Sequence, residues 1–237
     1  SSSRLNVNSL THGLTTLSRL NAMKPDPNSV HTKFSTLRDM MGDPSELAVR
    51  KSITRLDKHC REFIRRSPFV CIGTSNGEGK ADVSPKGDPP GFVQVLDDQT
   101  LFIPDRPGNN RLDSMSNLVM NPAIALLFLI PGFNETLRVN GQAVIVQDDT
   151  LNQQSSINGR TPKVGIQVSV ETAFLHCAKA FKRSKLWEPE SRQNRKEMPS
   201  LGQIIIEQAT PAGQSVEQDE VVRAEQAIEK SGRTRLY

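Results

Sequence analysis

From residue 69 onward, the sequence changes from a helical hydrophobic period to a series of short β-type runs. Residues 69–74 and 80–84 flank a turn that contains Asn76-Gly77, a dipeptide that favours tight hairpins. Antiparallel strands at such short spacing predict a small β-barrel and argue against a parallel nucleotide-binding sheet. Further strand patterns lie at 91–96, 100–104, 123–130, 135–147 and 167–171.

Helical patterns flank the strands and interrupt them once. Residues 45–66 repeat apolar side chains at steps of three and four, and Ser67-Pro68 ends the pattern. Residues 108–120 predict a helix inside the strand-rich region. The fold class predicted is therefore mainly β with helices, an α+β fold. Further helices are predicted at 174–183, 201–208 and 216–230.

The domain organisation predicted is simple. The chain of 237 residues is long enough for one sizeable core. We expect a single domain over residues 39–237 and an N-terminal extension over residues 1–38 that is poorly ordered or peripheral. The first 25 residues contain no acidic side chain, which would also suit a transit peptide, but we favour a plain extension.

Composition excludes several classes of protein. The longest apolar run, 123–130, has eight residues, whereas a membrane span needs about 20, so no membrane crossing is expected. Thirty basic against 26 acidic residues give a net charge of +4, and aromatic residues are only 5% of the chain. Nucleic-acid binding is not expected, because such proteins show a dense basic stripe with aromatic platforms.

Metal and nucleophile chemistry find no support in the sequence. The three cysteines form no Cys-x-x-Cys pair, and the four histidines lack ligand spacing, so we expect no metal and a cytoplasmic location with reduced thiols. No Gly-x-Ser-x-Gly elbow occurs. The catalytic residues therefore remain unknown at this level.

Residues 105–113 join a strand to a helix and carry Arg106, Asn109, Asn110 and Arg111. A helix N-terminus with free N–H groups, an Asn at the predicted N-cap and two arginines would suit a phosphate. An ordinary capped loop with solvated arginines explains the same residues equally well. Residues 83–92 form a second cluster that places Ser84 and Lys86 at a barrel rim, or simply in a stiff surface loop.

The stretches SPKGDPPGF and DRPGNNR, at 84–92 and 105–111, lie in an order that resembles the pyridoxamine 5′-phosphate oxidase-like flavin-binding proteins. The resemblance is closest to a branch that has both stretches. It continues through HCAKAFKRSKLW at 176–187 and covers roughly residues 39–237.

This resemblance implies a six-stranded antiparallel split β-barrel that forms a homodimer and binds FMN at the subunit interface. By position, Lys86 would approach the flavin, and Thr136 would lie near its ring. Residues 109–111 would hold the phosphate, and Arg183 and Trp187 would reach the neighbouring subunit's site. The full set of cofactor-binding residues implied is Val83, Ser84, Lys86, Ile103, Pro104, Asp105, Asn109, Asn110, Arg111, Thr136, Arg183 and Trp187.

The chain departs from the pyridoxamine oxidases in two places. Their RLHDR and FWQG segments, which hold the substrate, are absent, and Trp187 stands in a different context. Oxidation of a B6 vitamer is therefore not expected. The function predicted is an FMN-dependent oxidoreductase that acts on an unidentified small molecule, and the alternative is a non-enzymatic flavin- or haem-binding protein.

Overall fold

The computed structural model describes residues 30–31 and 33–237, so most of the predicted N-terminal extension lies outside the described residues. The chain divides into two compact units between Val49 and Arg50. The described part of the first unit contains helix α1 (Phe34–Met41), and helix α2 (Glu46–Arg50) lies at the division. The expected boundary between residues 38 and 39 stays a prediction.

The second unit is built on one sheet of seven antiparallel strands, in the order β2-β1-β5-β6-β7-β4-β3. Both end strands, β2 and β3, pair with one neighbour only, which is typical of a split rather than a closed barrel. The α+β fold is confirmed, and the sheet has seven strands where the resemblance implies six, with the short β3 inside the strand pattern predicted at 91–96. The strands are β1 (Phe69–Ser75), β2 (Ala81–Gly87), β3 (Gln94–Val95), β4 (Thr100–Pro104), β5 (Ala123–Leu129), β6 (Thr136–Val146) and β7 (Gly165–His176).

One face of this sheet packs against the hydrophobic core. Alternate residues of β1 and β5 point inward, so that Val70, Ile72, Leu126 and Phe128 are almost wholly buried. Burial of each such side chain contributes about 1.5–3 kcal/mol. Helix α3 (Lys58–Arg66) covers this face with residues that include the buried Ile64. The alternate residues of these two strands, such as Gly73 and Ala125, face the other side of the sheet, which is mostly apolar as well.

The helix predicted over residues 45–66 is wrong, because the structure divides it into α2 and α3. Between them, Ile53 forms a β-bridge with Ala173, whose carbonyl accepts a 3.0 Å hydrogen bond from the Ile53 N–H. Asp57 then caps α3, and its Oδ1 accepts hydrogen bonds from the His59 and Cys60 N–H groups. The apolar spacing is helical, but the backbone of Ile53 bonds to β7 and that of Leu56 bonds to the Asp98 carbonyl instead.

The β1–β2 hairpin is confirmed, with Ser75 opposite Ala81. Its turn differs from the expected tight Asn-Gly turn, because Gly79, with φ +80°, is the left-handed residue. The side chain of Asn76 closes the loop, since its Oδ1 accepts hydrogen bonds from the N–H groups of Glu78 and Lys80. Asn76 therefore acts through its side chain rather than through a positive φ.

Two other helix boundaries differ from prediction. Residues 174–176 continue β7, which pairs with β6 as far as Thr136 opposite His176, so no helix begins at Phe174. Helix α4 begins at Asp113 rather than at residue 108. None of the helices among the described residues is long and apolar enough to span a membrane. The helices after α3 are α4 (Asp113–Met120), α5 (Asp149–Gln154), α6 (Lys179–Ser184), α7 (Leu201–Ala209) and α8 (Gln218–Thr234), with 3₁₀ turns at Pro189–Ser191 and Arg195–Glu197.

Candidate functional site

A cavity of about 220 Å³, the cradle cavity, lies between edge strand β2, the segment 105–112 and the start of α4. The connection after β4 brings this segment beside β2, although the two strands lie far apart in the sheet order. Residues predicted separately from two stretches of sequence thus line one cavity. The predicted residues that line it are Val83, Ser84, Lys86, Asp105, Asn109, Asn110 and Arg111.

The N-terminus of α4 opens into the cradle cavity. Its N-cap residue, Leu112, has a left-handed conformation with φ 57°, and no side chain caps the helix. The first-turn residues Ser114 and Met115 line the cavity. N–H groups in a first turn have no intrahelical acceptor, and they attract anions. The expected Asn N-cap is wrong, because the Oδ1 of Asn109 accepts its hydrogen bond from the Arg111 N–H, at 3.1 Å.

Arg106 has a structural partner. Its Nε donates a 2.6 Å hydrogen bond to Asp88, and these side chains are only 14% and 2% exposed. Its Nη2 donates to the carbonyl of Ser155, and its guanidinium lies over the ring of Tyr237. Separating a buried charge from its partner is costly, so Arg106 holds the segment in place and is not available to a ligand.

Arg111 has a partner that a ligand can replace. Its Nε donates to Asp113 at 2.7 Å, but the two side chains are 70% and 48% exposed. A guanidinium is charged at any physiological pH, and the hydrogen bond to Asp113 raises the pKa of Arg111 further. Exposed pairs contribute only about 0–1 kcal/mol, so a stronger anion in the cavity can recruit Arg111.

The side chain of Lys86 is more exposed than that of Arg106 and less exposed than that of Arg111. Its Nζ lies 3.2 Å from Asp105 Oδ1, and the two side chains are about a quarter exposed, at 24% and 26%. The pair joins β2 to the end of β4 and so fixes the width of the cradle cavity. Lys86 reaches the cavity as a cation whose charge Asp105 partly balances.

A second depression, the apolar groove, lies on the outer face of β1, β5 and β6, with a volume of about 460 Å³. Gly73 and Ala125 lie opposite each other in its floor, which is flat because neither has a large side chain. Burial raises the pKa of the Cys71 thiol, so this groove residue is a neutral wall and not a nucleophile. Val83, 68% exposed, lines both this groove and the cradle cavity.

The remaining predicted residues lie apart from the cradle cavity. Thr136, only 3% exposed, lies at one end of the apolar groove. Ile103 is in the core at 1% exposed and lines neither cavity, and Pro104 belongs to a neighbouring cavity beside Arg106. The predicted set therefore divides into a cradle group, a groove group, and residues such as Ile103 and Pro104 that belong to neither.

The C-terminal pair of the prediction is engaged within its own chain. Trp187 stacks on Phe181 of the groove with ring centroids 5.6 Å apart, and its Nε1 donates a 2.7 Å hydrogen bond to the Phe133 carbonyl. Arg183 lies in α6 and lines neither the groove nor the cradle cavity. Their expected place in a neighbouring subunit's site stays a prediction.

Sequence reasoning missed Asp88 and Tyr237, which surround Arg106. The ring of Tyr237 lies 5.5 Å from the Arg106 guanidinium. Arg160 fixes this C-terminal segment by donating hydrogen bonds to the carbonyls of Thr234 and Tyr237. No local pattern signals contacts between segments that are more than 70 residues apart, although Tyr237 is the only tyrosine in the chain.

The fold is thus an open antiparallel sheet of α+β class, of the split-barrel type, with an uncapped helix start beside its edge strand. The sequence profile of the pyridoxamine 5′-phosphate oxidase family matches residues 56–177, which is half of the chain. The chain belongs to this family.

Similar solved structures include HupZ from Group A Streptococcus, with 17% identity, a TM-score of 0.43, and coverage of 51% of this chain and 99% of that one. General Stress Protein 26 from Bacillus anthracis is 17% identical, with a TM-score of 0.39 and coverage of 49% and 93%. HutZ, the haem storage protein from Vibrio cholerae, is 14% identical, with a TM-score of 0.35 and coverage of 52% and 94%. Likenesses of this degree establish no function. No curated protein matches the chain significantly.

Proposed function

We propose that this protein is an FMN-binding oxidoreductase that acts on a small molecule and works as a homodimer in the cytoplasm. The observation that carries the proposal is the junction at Val83, where the polar cradle cavity meets the flat apolar groove. A ligand that suits both has a phosphate at one end and a planar ring at the other. FMN has this form.

The donors of the cradle cavity fit a phosphate. The uncapped start of α4 offers N–H groups, and Arg111 offers a guanidinium whose present partner is exposed and replaceable. Asp82, Asp105 and Asp113 also line the cavity and oppose an anion. The charge of Asp105 is paired with Lys86, and that of Asp113 with Arg111. The affinity of the cavity for a phosphate therefore depends on how readily Arg111 leaves Asp113 for it.

The apolar groove fits the ring. Its floor is small and apolar at Gly73 and Ala125, while the buried Thr136 provides a polar group at one end. When bound, FMN supplies hydride or electron transfer, and the chain's own residues hold and orient it. Lys86 lines the cradle cavity three residues beyond Val83, and we propose that its cation stabilises negative charge on the ring.

The openness of the groove supports the proposed homodimer. Val83 and Ala125 of its lining are exposed within this chain, and a planar ring there would remain partly in water. A second subunit seated against the groove would exclude that water. Arg183 and Trp187 lie on or beside α6, next to the groove, and are the residues that we propose to contribute to the shared site.

The deciding experiment is the absorption spectrum of the purified protein, followed by titration with FMN. We expect the two-banded spectrum of a bound flavin, bleaching of that spectrum under anaerobic NADH or NADPH, and recovery with an acceptor. Bound flavin that no electron donor reduces would support a binding protein rather than an enzyme. A Soret band would support the haem alternative, and failure to bind FMN at micromolar concentration would overturn the proposal.

A further inference from the structure

The segment 105–112 has a backbone that needs support from other parts of the chain. Asn110, with φ +58°, and Leu112, with φ +57°, both adopt the left-handed conformation. This conformation costs free energy in any residue that has a Cβ atom, and more in leucine than in asparagine, so it persists only where surrounding contacts impose it. The segment forms one wall of the cradle cavity. The contacts that impose its shape therefore also decide whether the cavity can hold a ligand.

The anchor of this segment is Arg106. Its guanidinium donates hydrogen bonds to the Asp88 carboxylate and to the Ser155 carbonyl, and the ion pair with Asp88 is largely removed from water. Pro107 follows directly, and its ring restricts φ, so a shift of Arg106 carries the start of the segment with it. Whatever holds the Arg106–Asp88 pair therefore holds this wall of the cradle cavity.

Tyr237 contacts both members of this ion pair. Its ring centroid lies 5.5 Å from the Arg106 guanidinium. Burial raises the pKa of the Tyr237 hydroxyl, as do the charge of Asp88 and a hydrogen bond to its carboxylate, so the hydroxyl stays protonated and donates. Tyr237 also lines two cavities, of about 470 and 480 Å³, whose walls both include Arg106 and Pro107. Its ring therefore lies beside the start of the segment as well as against the guanidinium.

The main chain around Tyr237 is itself held in place. Arg160 donates hydrogen bonds from Nη1 to the main-chain oxygens of Thr234 and Tyr237. The N–H of Arg235 donates a 2.9 Å hydrogen bond to the Ser231 carbonyl, which closes the last turn of α8. The end of α8 and Arg160 thus direct the Tyr237 ring toward the Arg106–Asp88 pair.

We propose that Tyr237 is a positioning residue of the cradle cavity: by holding the Arg106–Asp88 pair, it keeps the segment 105–112 in the conformation that binds a phosphate. A cation–π contact and a hydrogen bond are each modest, but both act here on an ion pair that is shielded from water, where such contacts are stronger. Without the ring, water reaches the pair and the left-handed residues can relax, so the binding conformation becomes a minor one. The identity of the phosphate ligand rests on the proposed function, whereas the effect of Tyr237 on the segment does not.

The first test needs no ligand and measures amide hydrogen exchange by NMR in the full chain carrying Tyr237→Leu. The N–H groups of Asp105 and Arg111 report on the segment, because both donate hydrogen bonds. We expect both to exchange about threefold faster or more, while the bonded N–H of the buried Leu56 keeps its rate. The matched control, Leu236→Ala, alters the neighbouring residue, which is 64% exposed, and should change none of these rates. Unchanged rates at Asp105 and Arg111, an equal acceleration at Leu56, or an equal effect of the control would each overturn the inference.

The second test compares the affinities for FMN and riboflavin, since apparent affinity falls in proportion to the population of the binding conformation. Tyr237→Leu should weaken FMN about tenfold and riboflavin less than about twofold, because only the phosphate uses the segment. Tyr237→Phe keeps the ring and should restore FMN affinity to within about threefold of its original value, a selective rescue that a general loss of stability would not show. Equal weakening of FMN and riboflavin, or no weakening of FMN, would overturn the inference. If the unaltered protein does not bind FMN, the proposed function fails, and the exchange rates alone decide the role of Tyr237.

Discussion

Replacing Arg111 by alanine should separate FMN from riboflavin, because only FMN carries the phosphate that the cradle cavity is proposed to hold. A charge-assisted hydrogen bond contributes about 1.5–3 kcal/mol. When Arg111 binds the phosphate it gives up its existing pair with Asp113, which at 70% and 48% exposure is worth about 0–1 kcal/mol, and this cost reduces the gain. The net effect is about one to two factors of ten, so Arg111→Ala should weaken FMN binding about ten- to a hundredfold.

Riboflavin affinity should change less than about threefold, because the ring and the phosphate use different cavities. Fluorescence titration measures both affinities on the same protein. The matched control is Arg65→Ala, since Arg65 also bonds a carboxylate, Glu62, at 2.7 Å, with similar exposures of 65% and 45%. Equal losses for FMN and riboflavin, or a loss no larger than in the control, would show that Arg111 does not hold the phosphate. Asp113→Asn should change the FMN affinity in the opposite direction. It frees Arg111 and removes a negative charge, so FMN should bind several times more tightly.

Three other outcomes test the surrounding structure. Lys86→Met should lower the reduction potential of bound flavin, measured by dye equilibration, because it removes a cation that favours the reduced anion; an unchanged potential would place Lys86 away from the ring. Asp88→Asn should destabilise the protein by about 3–5 kcal/mol in denaturant titration, because it leaves Arg106 buried without its partner charge; a loss below about 1 kcal/mol would mean that water replaces the carboxylate. Sedimentation of flavin-loaded protein should give a dimer at micromolar concentration, whereas a flavin-saturated monomer of 26.2 kDa would exclude a shared site.

The local sequence pattern predicted the strands well, because strands are signalled by alternating apolar and polar residues and by the turn-forming residues between them. The hairpin around Asn76 and the positions of strands β4 to β7 follow from such signals, but the pairing of these later strands does not. The helix expected over residues 45–66 was wrong because hydrophobic spacing does not record hydrogen bonds to a distant strand, such as that of Ile53 to Ala173. The end of β7 was mistaken for helix for the same reason, since its pairing with β6 decides it.

The candidate site was predictable in part. One stretch of sequence suggested phosphate binding and another placed Ser84 and Lys86 at a barrel rim, and the structure brings seven predicted residues of the two stretches to one cavity. The ion pairs and ring contacts of these residues were not predictable, because their partners come from elsewhere in the chain. Arg106 bonds Asp88, at 18 residues' separation, and lies over Tyr237 at the end of the sequence. A sequence records that these residues are charged or aromatic, but not which of them meet.

Burial, rather than residue type, separates the roles of the two arginines within the stretch DRPGNNR. Arg106 and Arg111 are five positions apart, and each bonds a carboxylate at 2.6–2.7 Å. The Arg106 pair is nearly out of water, so exchanging its partner would strand Asp88 as a buried, unpaired charge. The Arg111 pair is in water, where both partners are hydrated whether or not they touch, so a phosphate can displace Asp113 at little cost. One arginine therefore holds the segment in position, and the other is free to bind what the segment presents.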